Sequence, residues 1–80
     1  MSKEILFFSS KACGPCRILK QKLDKKITEE LNIRMLDTET DTSLFIEHKV
    51  MSVPTFIKLV NGVETNRKSG NRTIQELKEL

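Results

Sequence analysis

The sequence has 80 residues, which is enough for one domain built around one hydrophobic core. Its hydrophobic fraction of 38% and charged fraction of 31% are ordinary for a globular domain and exclude a disordered chain. The longest apolar run covers residues 5–8, far short of the roughly 18 residues that a membrane-spanning helix needs. The first residues lack the apolar stretch and cleavage site of a signal peptide. We therefore expect a single domain over residues 1–80 in a soluble, cytoplasmic protein.

The net charge of +3 is unevenly distributed along the chain. Residues 11–26 carry six basic side chains against one acid, whereas residues 27–47 carry six acids against one base. A basic block of this kind is used by nucleic-acid-binding proteins to contact phosphates. No aromatic residue lies among these lysines and no groove-reading motif is present. The block is therefore interpreted as a solvated helix face, and no nucleic-acid partner is expected.

The first half of the chain alternates between strand and helix patterns. Residues 5–8 form a continuous apolar run, which is typical of a strand buried on both faces. Apolar residues that recur at intervals of four predict an amphipathic helix over residues 14–31, with Pro15 in its first turn. Asn32 is a suitable end for this helix, and residues 33–36 predict a second strand.

The second half predicts a short helix and then a hairpin. Asp41 is the predicted N-cap of the helix, which is marked by Leu44, Phe45 and His48. Residues 53–60 are β-rich and are followed directly by Asn61-Gly62, the strongest short-range hairpin signal. The partner strand over residues 63–68 is mostly polar, so we expect it at the edge of the sheet.

The end of the chain predicts one more helix. Gly70 ends the last strand, and Thr73 and Glu76 form the Ser/Thr-x-x-Glu capping box that begins a helix. The order of elements is then βαβαββα. A parallel βαβ unit followed by an antiparallel hairpin predicts an α/β fold, with three helices and a four-stranded mixed sheet.

The two cysteines, Cys13 and Cys16, lie where the first strand gives way to the first helix. A disulfide between them would close a very short loop, so it would remove little entropy from the unfolded chain. A small secreted scaffold would instead carry many cysteines spread along the sequence. A Cys-x-x-Cys pair at a strand-to-helix junction therefore predicts a dithiol redox site.

The position of each cysteine predicts its role. Cys13 lies at or beside the helix N-cap, where unpaired backbone N–H groups and the helix dipole favour a thiolate. Lys11 and Arg17 add positive charge nearby. Cys16 lies one helical turn further in, on the apolar face, so it should be buried. Cys13 is the predicted nucleophile, and Cys16 is the predicted resolving residue that releases the mixed disulfide.

Two other interpretations of the cysteine pair stay open. A Cys-x-x-Cys pair is also half of a zinc site, but such a site needs further ligands and His48 is the only histidine. The pair could also be a buried structural pair without a redox role. Neither a metal nor a cofactor is expected.

The residues around the cysteines resemble a known family. Residues 12–17, Ala-Cys-Gly-Pro-Cys-Arg, closely resemble the Trp-Cys-Gly-Pro-Cys-Lys site of thioredoxins. Residues 52–55, Ser-Val-Pro-Thr, resemble the loop whose proline is cis in that family. Asn61-Gly62, Gly70 and residues 76–80 fall where thioredoxins have their hairpin glycine, late glycine and last helix. The resemblance covers nearly the whole chain and implies a minimal thioredoxin fold. Without the first strand and helix of a full-length thioredoxin, its compact outline is closer to that of a glutaredoxin.

This resemblance implies a set of site residues and a way of holding substrate. The two cysteines would form a redox-active disulfide that reduces protein disulfides through a mixed-disulfide intermediate. A cis bond before Pro54 would leave the backbone N–H and C=O of Val53 free to pair with an extended substrate segment. The implied substrate-binding residues are Ala12, Gly14, Pro15, Val53, Pro54 and Gly70.

Two departures from the thioredoxin pattern bear on catalytic speed and client choice. Phe7 stands six residues before the first cysteine, where thioredoxins usually place a buried aspartate. The acid–base role towards Cys16 is therefore either unfilled or filled by a water or another group. Ala12 replaces the tryptophan before the first cysteine, which removes a large contact surface for protein clients.

The resemblance also implies partners. The first group consists of disulfide-containing client proteins, with ribonucleotide reductase as a candidate. The second partner is a flavoprotein thioredoxin reductase that would recharge this protein. The protein itself is expected to be a monomeric reductase or electron carrier that does not bind membranes. One alternative is a glutaredoxin that uses glutathione, but residues 69–72 lack the second glycine and the aspartate of that family's Gly-Gly-x-Asp-like turn. Another alternative is a binding subunit of thioredoxin fold whose redox activity is incidental.

Overall fold

Strand β1 (Lys3–Ser9) contains the longest apolar run of the chain and lies inside the sheet. The structure, a computed structural model, describes residues 2–80. β1 pairs in parallel with β2 (Ile33–Asp37) and antiparallel with β3 (Thr55–Val60). β3 pairs antiparallel with β4 (Val63–Ser69), which gives the order β2-β1-β3-β4. The predicted four-stranded mixed sheet is confirmed, with β4 at an edge as expected.

Four helical segments accompany the sheet: α1 (Gly14–Lys22), α2 (Lys25–Glu30), α3 (Thr42–Glu47) and α4 (Ile74–Lys78). All of them are short, and within residues 2–80 no helix has the length and apolar character needed to span a membrane.

The structure corrects the helix predicted over residues 14–31, because the helix breaks at Leu23 and Asp24. Leu23 ends α1, and Asp24 begins α2 as an N-cap whose carboxylate accepts a hydrogen bond from the N–H of Ile27 at 2.9 Å. Aspartate competes with the helix for backbone N–H groups and so favours a cap over a helix interior. Three predicted helices thus become four segments, while the order of the strands is unchanged.

Side chains alternate along β1 and divide the core into two clusters, one on each face of the sheet. The first cluster, called here the dithiol-side core, comprises Ile5, Phe7, Cys16, Leu19, Leu23, Phe56, Leu77 and Leu80. The second cluster comprises Leu6, Phe8, Leu36, Ile57 and Leu59, with Leu44 and Phe45 of α3 packed against it. In the dithiol-side core, the rings of Phe7 and Phe56 are stacked with their centroids 4.6 Å apart. The apolar run of β1 is therefore buried on both faces, as predicted.

The predicted hairpin and the last capping box are both confirmed. Asn61 and Gly62 have positive φ values of 52° and 82°, which the tight turn between β3 and β4 requires. Thr73 and Glu76 form a reciprocal capping box: the Thr73 hydroxyl accepts from the Glu76 N–H and the Glu76 carboxylate accepts from the Thr73 N–H, both at 3.1 Å. Local sequence signals are therefore sufficient for these two features.

Asp41 occupies the predicted N-cap position of α3, but its carboxylate does not cap the helix. It accepts hydrogen bonds from the backbone N–H of Asp37 and the hydroxyl of Thr40, both at 3.0 Å. These two bonds, the backbone bond first, lower the pKa of Asp41. Asp41 therefore closes the loop after β2 rather than the first turn of α3.

Candidate functional site

The first helix begins at Cys13, as the sequence predicts. The chain leaves β1 and turns at Ser10, whose carbonyl accepts a hydrogen bond from the Cys13 N–H at 3.1 Å. Cys13 is the N-cap of α1, and its Sγ accepts a hydrogen bond from the Cys16 N–H at 3.2 Å. Pro15 lies in the first turn, where its missing N–H costs no hydrogen bond. The sulfur of Cys13 thus takes the place of the usual capping oxygen.

The two cysteines differ in exposure. Cys16 is fully buried in the dithiol-side core at 0% exposure, whereas Cys13 is only partly buried and packs at the edge of that core. They are joined by a disulfide, with their Cα atoms 5.2 Å apart, within the usual range for such a bond. Cys13 is therefore the sulfur that a protein partner can reach, and Cys16 is shielded beneath it.

The surroundings of Cys13 favour negative charge. In the described chain, the first turn of α1 contains no acidic residue, and Arg17 is exposed beside the cysteine pair. The Nζ of Lys11 lies 4.0 Å from a carboxylate oxygen of Glu39, with both side chains largely exposed. An exposed pair of this kind adds little stability, and the Glu39 carboxylate offsets part of the charge of Lys11. When the disulfide is reduced, this position at the helix N-terminus would favour a thiolate at Cys13.

The loop before β3 forms the second part of the site. The peptide bond between Val53 and Pro54 is cis, which confirms the prediction from the sequence resemblance. Pro54 is buried, and Val53 packs against the dithiol-side core, as Cys13 does. The Pro54 carbonyl accepts a hydrogen bond from the Gly70 N–H at 2.8 Å. Gly70 has φ of 86°, a conformation that favours glycine, so it holds the end of β4 against this loop.

The backbone of Val53 is open for pairing. Within residues 2–80, neither its N–H nor its C=O has a backbone hydrogen-bond partner. The loop is held instead by Thr55, whose hydroxyl donates to the Ser52 carbonyl at 2.8 Å. The sequence resemblance includes Thr55 in the motif of residues 52–55 but gives it no role; a threonine hydroxyl commonly bonds to the backbone of a nearby residue in this way. An extended segment could therefore hydrogen-bond to Val53 without displacing an existing bond.

The predicted substrate-binding residues differ in their exposure. Ala12, Pro15 and Gly70 are exposed, Gly14 and Val53 are partly buried, and Pro54 is buried. Their roles in binding stay predictions.

Among residues 2–80, no carboxylate is buried in the core around Cys16. The buried polar side chains of residues 2–80 are those of Ser9 and Thr55. Phe7, which stands where the resemblance to thioredoxins predicts an aspartate, is fully buried in the same cluster as Cys16. The predicted position of Phe7 is confirmed, and the environment of the buried sulfur is apolar.

The one histidine lies on the other side of the sheet from the cysteines. His48 ends α3, and its ring contacts Phe8 of the second cluster, with the ring centroids 5.9 Å apart. In the portion of the chain that the structure describes, no group of three or more His, Cys, Asp or Glu residues is arranged to hold a metal ion.

A mixed four-stranded sheet with a Cys-x-x-Cys disulfide at a helix N-terminus, beside a cis-proline loop, defines a thioredoxin-fold protein with a dithiol site. The thioredoxin family model matches residues 2–80. The mitochondrial thioredoxin of Mus musculus is 33% identical over 61 residues, which cover 72% of this chain and 37% of that protein. The chain thus spans little more than a third of this curated relative.

Solved structures agree with the family match. The thioredoxin of Fasciola hepatica superimposes with a TM-score of 0.82 at 25% identity, over 96% of this chain and 75% of that one. Thioredoxin 1 of Thermosipho africanus gives a TM-score of 0.77 at 26% identity, over 92% of this chain and 84% of that one. The chain belongs to the thioredoxin family.

Proposed function

We propose that this protein is a thiol–disulfide oxidoreductase that reduces protein disulfides through Cys13 and Cys16. The observation that carries the proposal is the asymmetry of the pair: Cys13 is accessible at a helix N-terminus, and Cys16 is fully buried one turn later. Membership of the thioredoxin family supports the same chemistry. Catalysis of this kind needs one sulfur that attacks and a second that completes the exchange.

In the first step, the thiolate of Cys13 attacks one sulfur of the client disulfide. A bond forms between Sγ of Cys13 and that sulfur, the client S–S bond breaks, and the second client sulfur leaves as a thiolate that takes up a proton. The N–H of Cys16 already donates to Sγ of Cys13 at 3.2 Å, so it would stabilise the attacking thiolate.

In the second step, Cys16 loses its proton and its sulfur attacks Sγ of Cys13. The mixed disulfide breaks, the remaining client sulfur leaves and is protonated, and the disulfide between Cys13 and Cys16 forms. The client has gained two electrons from the protein and two protons; these protons balance the one that Cys13 lost on forming its thiolate and the one that Cys16 lost before its attack. Since the core around Cys16 holds no carboxylate among residues 2–80, solvent takes the proton of Cys16 in this account.

The client segment would lie in an extended conformation beside Cys13. Backbone pairing with Val53 would hold it, with Pro54 and Gly70 shaping that side of the site. On the other side, Ala12, Gly14 and Pro15 would contact the client, and the small Ala12 leaves room for a bulky neighbour. Main-chain pairing of this kind gives affinity with little dependence on client sequence.

The proposal includes partners and a setting. A flavoprotein thioredoxin reductase would return electrons to the disulfide, so that the protein carries electrons to its clients and contributes to cell redox homeostasis in the cytoplasm. Disulfide-forming enzymes such as ribonucleotide reductase are candidate clients. We propose that it acts as a monomer without a metal or cofactor.

The test is multiple-turnover reduction of a model protein disulfide, with the electron source varied. Reduction driven by NADPH and a flavoprotein thioredoxin reductase, and lost in both Cys13→Ser and Cys16→Ser, would support the proposal. Efficient turnover with glutathione as the sole reductant would favour a glutaredoxin instead. A protein that binds its partners equally well after both substitutions, and reduces nothing, would be a binding subunit.

A further inference from the structure

An arginine of β4 reaches across the sheet to the end of α3. The Nη2 of Arg67 donates a hydrogen bond to the carbonyl of His48, the C-cap of α3, at 2.8 Å. The same guanidinium donates from Nε and Nη2 to the two carboxylate oxygens of Glu64, both at 2.7 Å. A bidentate pair of this kind fixes the plane of the guanidinium. Glu64 therefore orients Arg67 towards the end of the helix.

The carbonyl of His48 is one that the helix end itself leaves without a partner. The Lys49 N–H donates to the Ile46 carbonyl at 3.1 Å, and Lys49 has φ of 54°. The Val50 N–H donates to the Phe45 carbonyl at 2.9 Å. These two bonds and the left-handed residue form a Schellman motif. Among residues 2–80, no backbone N–H outside the regular helices and strands donates to the His48 carbonyl, so the guanidinium satisfies this acceptor at the negative end of the helix dipole.

The end of α3 leads directly to the residue whose backbone is free for pairing. Only Met51 and Ser52 separate Val50 from Val53. Three residues of chain span at most about 11 Å, so the position of the helix end limits where Val53 can lie. A bond that holds the end of α3 therefore also restricts the backbone that is proposed to bind the client.

β4 holds this loop on both sides of Val53. The side chain of Arg67 binds the chain before it, and the N–H of Gly70 donates to the Pro54 carbonyl after it, at 2.8 Å. β4 is paired with β3, and Arg67 lies opposite Ile57 in that pairing. The two attachments thus come from one stretch of hydrogen-bonded strand and keep a fixed separation.

Arg67 lies away from the two cysteines. Its cross-strand partner Ile57 belongs to the second cluster, on the face of the sheet opposite to Cys16. Directly opposed residues share a face of the sheet, so Arg67 lies on the face that α3 covers. An effect of Arg67 on thiol chemistry must therefore pass through the loop.

We propose that Arg67 is a positioning residue, which holds the end of α3 and thereby keeps the backbone of Val53 in place for pairing with the client segment beside Cys13. Glu64 contributes by orienting Arg67. This inference rests on the proposed function and adds residues outside the dithiol and its loop. Loss of Arg67 should slow attack on a disulfide within a peptide chain and leave attack on a small disulfide unchanged.

The experiment compares two disulfides that release the same coloured aromatic thiol. One is the symmetric disulfide of that thiol, which has no peptide backbone, and the other joins it to the single cysteine of a short peptide. In both reactions a bond forms between Sγ of reduced Cys13 and one sulfur, the S–S bond breaks, and the aromatic thiolate leaves. The measured quantity is the peptide's second-order rate constant divided by that of the small disulfide. This ratio cancels any change in the reactivity of Cys13.

Substitutions at Arg67 should lower this ratio. Arg67→Met should reduce it by about threefold to tenfold, because the end of α3 loses its attachment to β4. Arg67→Lys keeps the charge but not the fork of donors, so it should recover only part of the loss. Glu64→Gln should cause a smaller loss in the same direction. Arg34→Gln is the matched control, since Arg34 is exposed on β2 at the other edge of the sheet, and it should retain the full ratio. Melting curves confirm folding in each variant.

A modified peptide shows whether Arg67 acts through backbone pairing. Methylation of the peptide's backbone nitrogens on either side of the cysteine removes donors that could bind the Val53 carbonyl, and it should lower the ratio in the unsubstituted protein. Arg67→Met should then cause little further loss with the methylated peptide, because both changes remove the same interaction. Equal losses with the two peptides would show that the substitution acts in another way, and would overturn the proposal.

Hydrogen exchange separates this inference from the proposed function. In Arg67→Met, the amide of Val50 at the end of α3 should exchange faster, whereas the amide of Gly70 should keep its protection. An unchanged ratio, or an equal loss for both disulfides, would overturn the role of Arg67 and leave the redox function intact. No reaction of the unsubstituted protein with either disulfide would contradict the redox function, and the exchange of Val50 would still show whether Arg67 holds the end of α3.

Discussion

The backbone N–H of Cys16 points at Sγ of Cys13, and the 3.2 Å hydrogen bond between them joins the two halves of the redox site. The same helical turn that delivers this N–H carries the side chain of Cys16 into the dithiol-side core. One local geometry therefore gives Cys13 an anion-stabilising donor and removes Cys16 from solvent. The difference in role between the two sulfurs follows from the position of the helix start.

The first prediction concerns the reactivity of the two thiols. In the reduced protein at neutral pH, iodoacetamide should modify Cys13 at least about tenfold faster than Cys16, since reactivity follows thiolate fraction and access. Mass spectrometry of digests at short reaction times measures both rates. Unfolding the protein in denaturant is the control and should bring the two rates together. Faster labelling of Cys16 in the folded protein would reverse the assigned roles.

The second prediction concerns the missing carboxylate beside Cys16. Phe7 provides only an apolar surface, which disfavours a charged thiolate and does not accept its proton. Release of a labelled client from the mixed disulfide should therefore accelerate with rising pH, more steeply than attack by Cys13 does. Single-turnover measurements between about pH 6 and about pH 9 give both profiles.

Substitutions at Phe7 test the cause of that pH dependence. Phe7→Asp should lessen it, although a lone buried carboxylate lowers the free energy of unfolding. Phe7→Leu is the matched control, because it keeps an apolar side chain and should retain the steep profile. A flat profile in the unsubstituted protein would show that another group already accepts the proton.

The third prediction concerns the last helix. Thr73→Ala removes the hydroxyl that accepts from the Glu76 N–H, so the free energy of unfolding should fall by about 1 kcal/mol. Thr73→Ser keeps a capping hydroxyl and should lose much less. Denaturant unfolding of the two variants measures the difference. Equal stabilities for alanine and serine at this position would show that the capping box contributes little.

The fourth prediction concerns stability in acid. The Arg67 guanidinium donates two hydrogen bonds to Glu64, both at 2.7 Å, and these lower the pKa of Glu64 from its ordinary value of 4.5. A carboxyl with a lowered pKa in the folded state stabilises the fold above its unfolded pKa and loses this contribution as pH falls through the folded value. Glu64→Gln should thus cost less than about 1 kcal/mol at neutral pH, because both side chains are about a third exposed.

The same substitution should also flatten the fall in stability below pH 4.5, the ordinary pKa of glutamate. Glu29→Gln is the control, since it removes a carboxylate that is not part of the ion pair between Glu64 and Arg67. Melting temperatures measured across the acid range for both variants test the assignment. An unchanged acid profile in Glu64→Gln would mean that this ion pair does not contribute.

The fifth prediction concerns glutathione. In the turn over residues 69–72, the Arg72 guanidinium donates twice to the Ser69 carbonyl and once to Glu76. Residues 69–72 therefore contribute no carboxylate that could hold the amino group of a glutathione molecule, and the charge of Arg72 is paired with Glu76. Reduction of glutathione mixed disulfides should be slow compared with that of protein disulfides. Comparable rates for the two substrates would favour the glutaredoxin interpretation.

Features encoded by short stretches of chain were predictable from the sequence. The Asn61-Gly62 turn, the Thr73 cap and the placement of Cys13 at a helix start each depend on a few neighbouring residues. The break at Asp24 was missed because the apolar spacing of four continues across it, and Leu23 and Ile27 both still pack on the dithiol-side core. Asp24 was the one residue in this stretch that indicated a new helix start rather than a continuous helix.

Features that depend on distant segments could not be predicted in this way. The bond from the Gly70 N–H to the Pro54 carbonyl joins residues far apart in the chain. The end of α3 and the loop before β3 also meet only in space, and no periodic pattern marks Met51 as exposed.

Trapping of the mixed disulfide tests the central claim most directly. Reduced Cys16→Ser protein is mixed with a model disulfide protein, and the products are analysed by mass spectrometry without reductant. We expect a covalent complex through Cys13 in this variant, and none with Cys13→Ser under the same conditions. A stable complex formed by Cys13→Ser, or none formed by Cys16→Ser, would contradict the assignment of Cys13 as the nucleophile and Cys16 as the resolving cysteine.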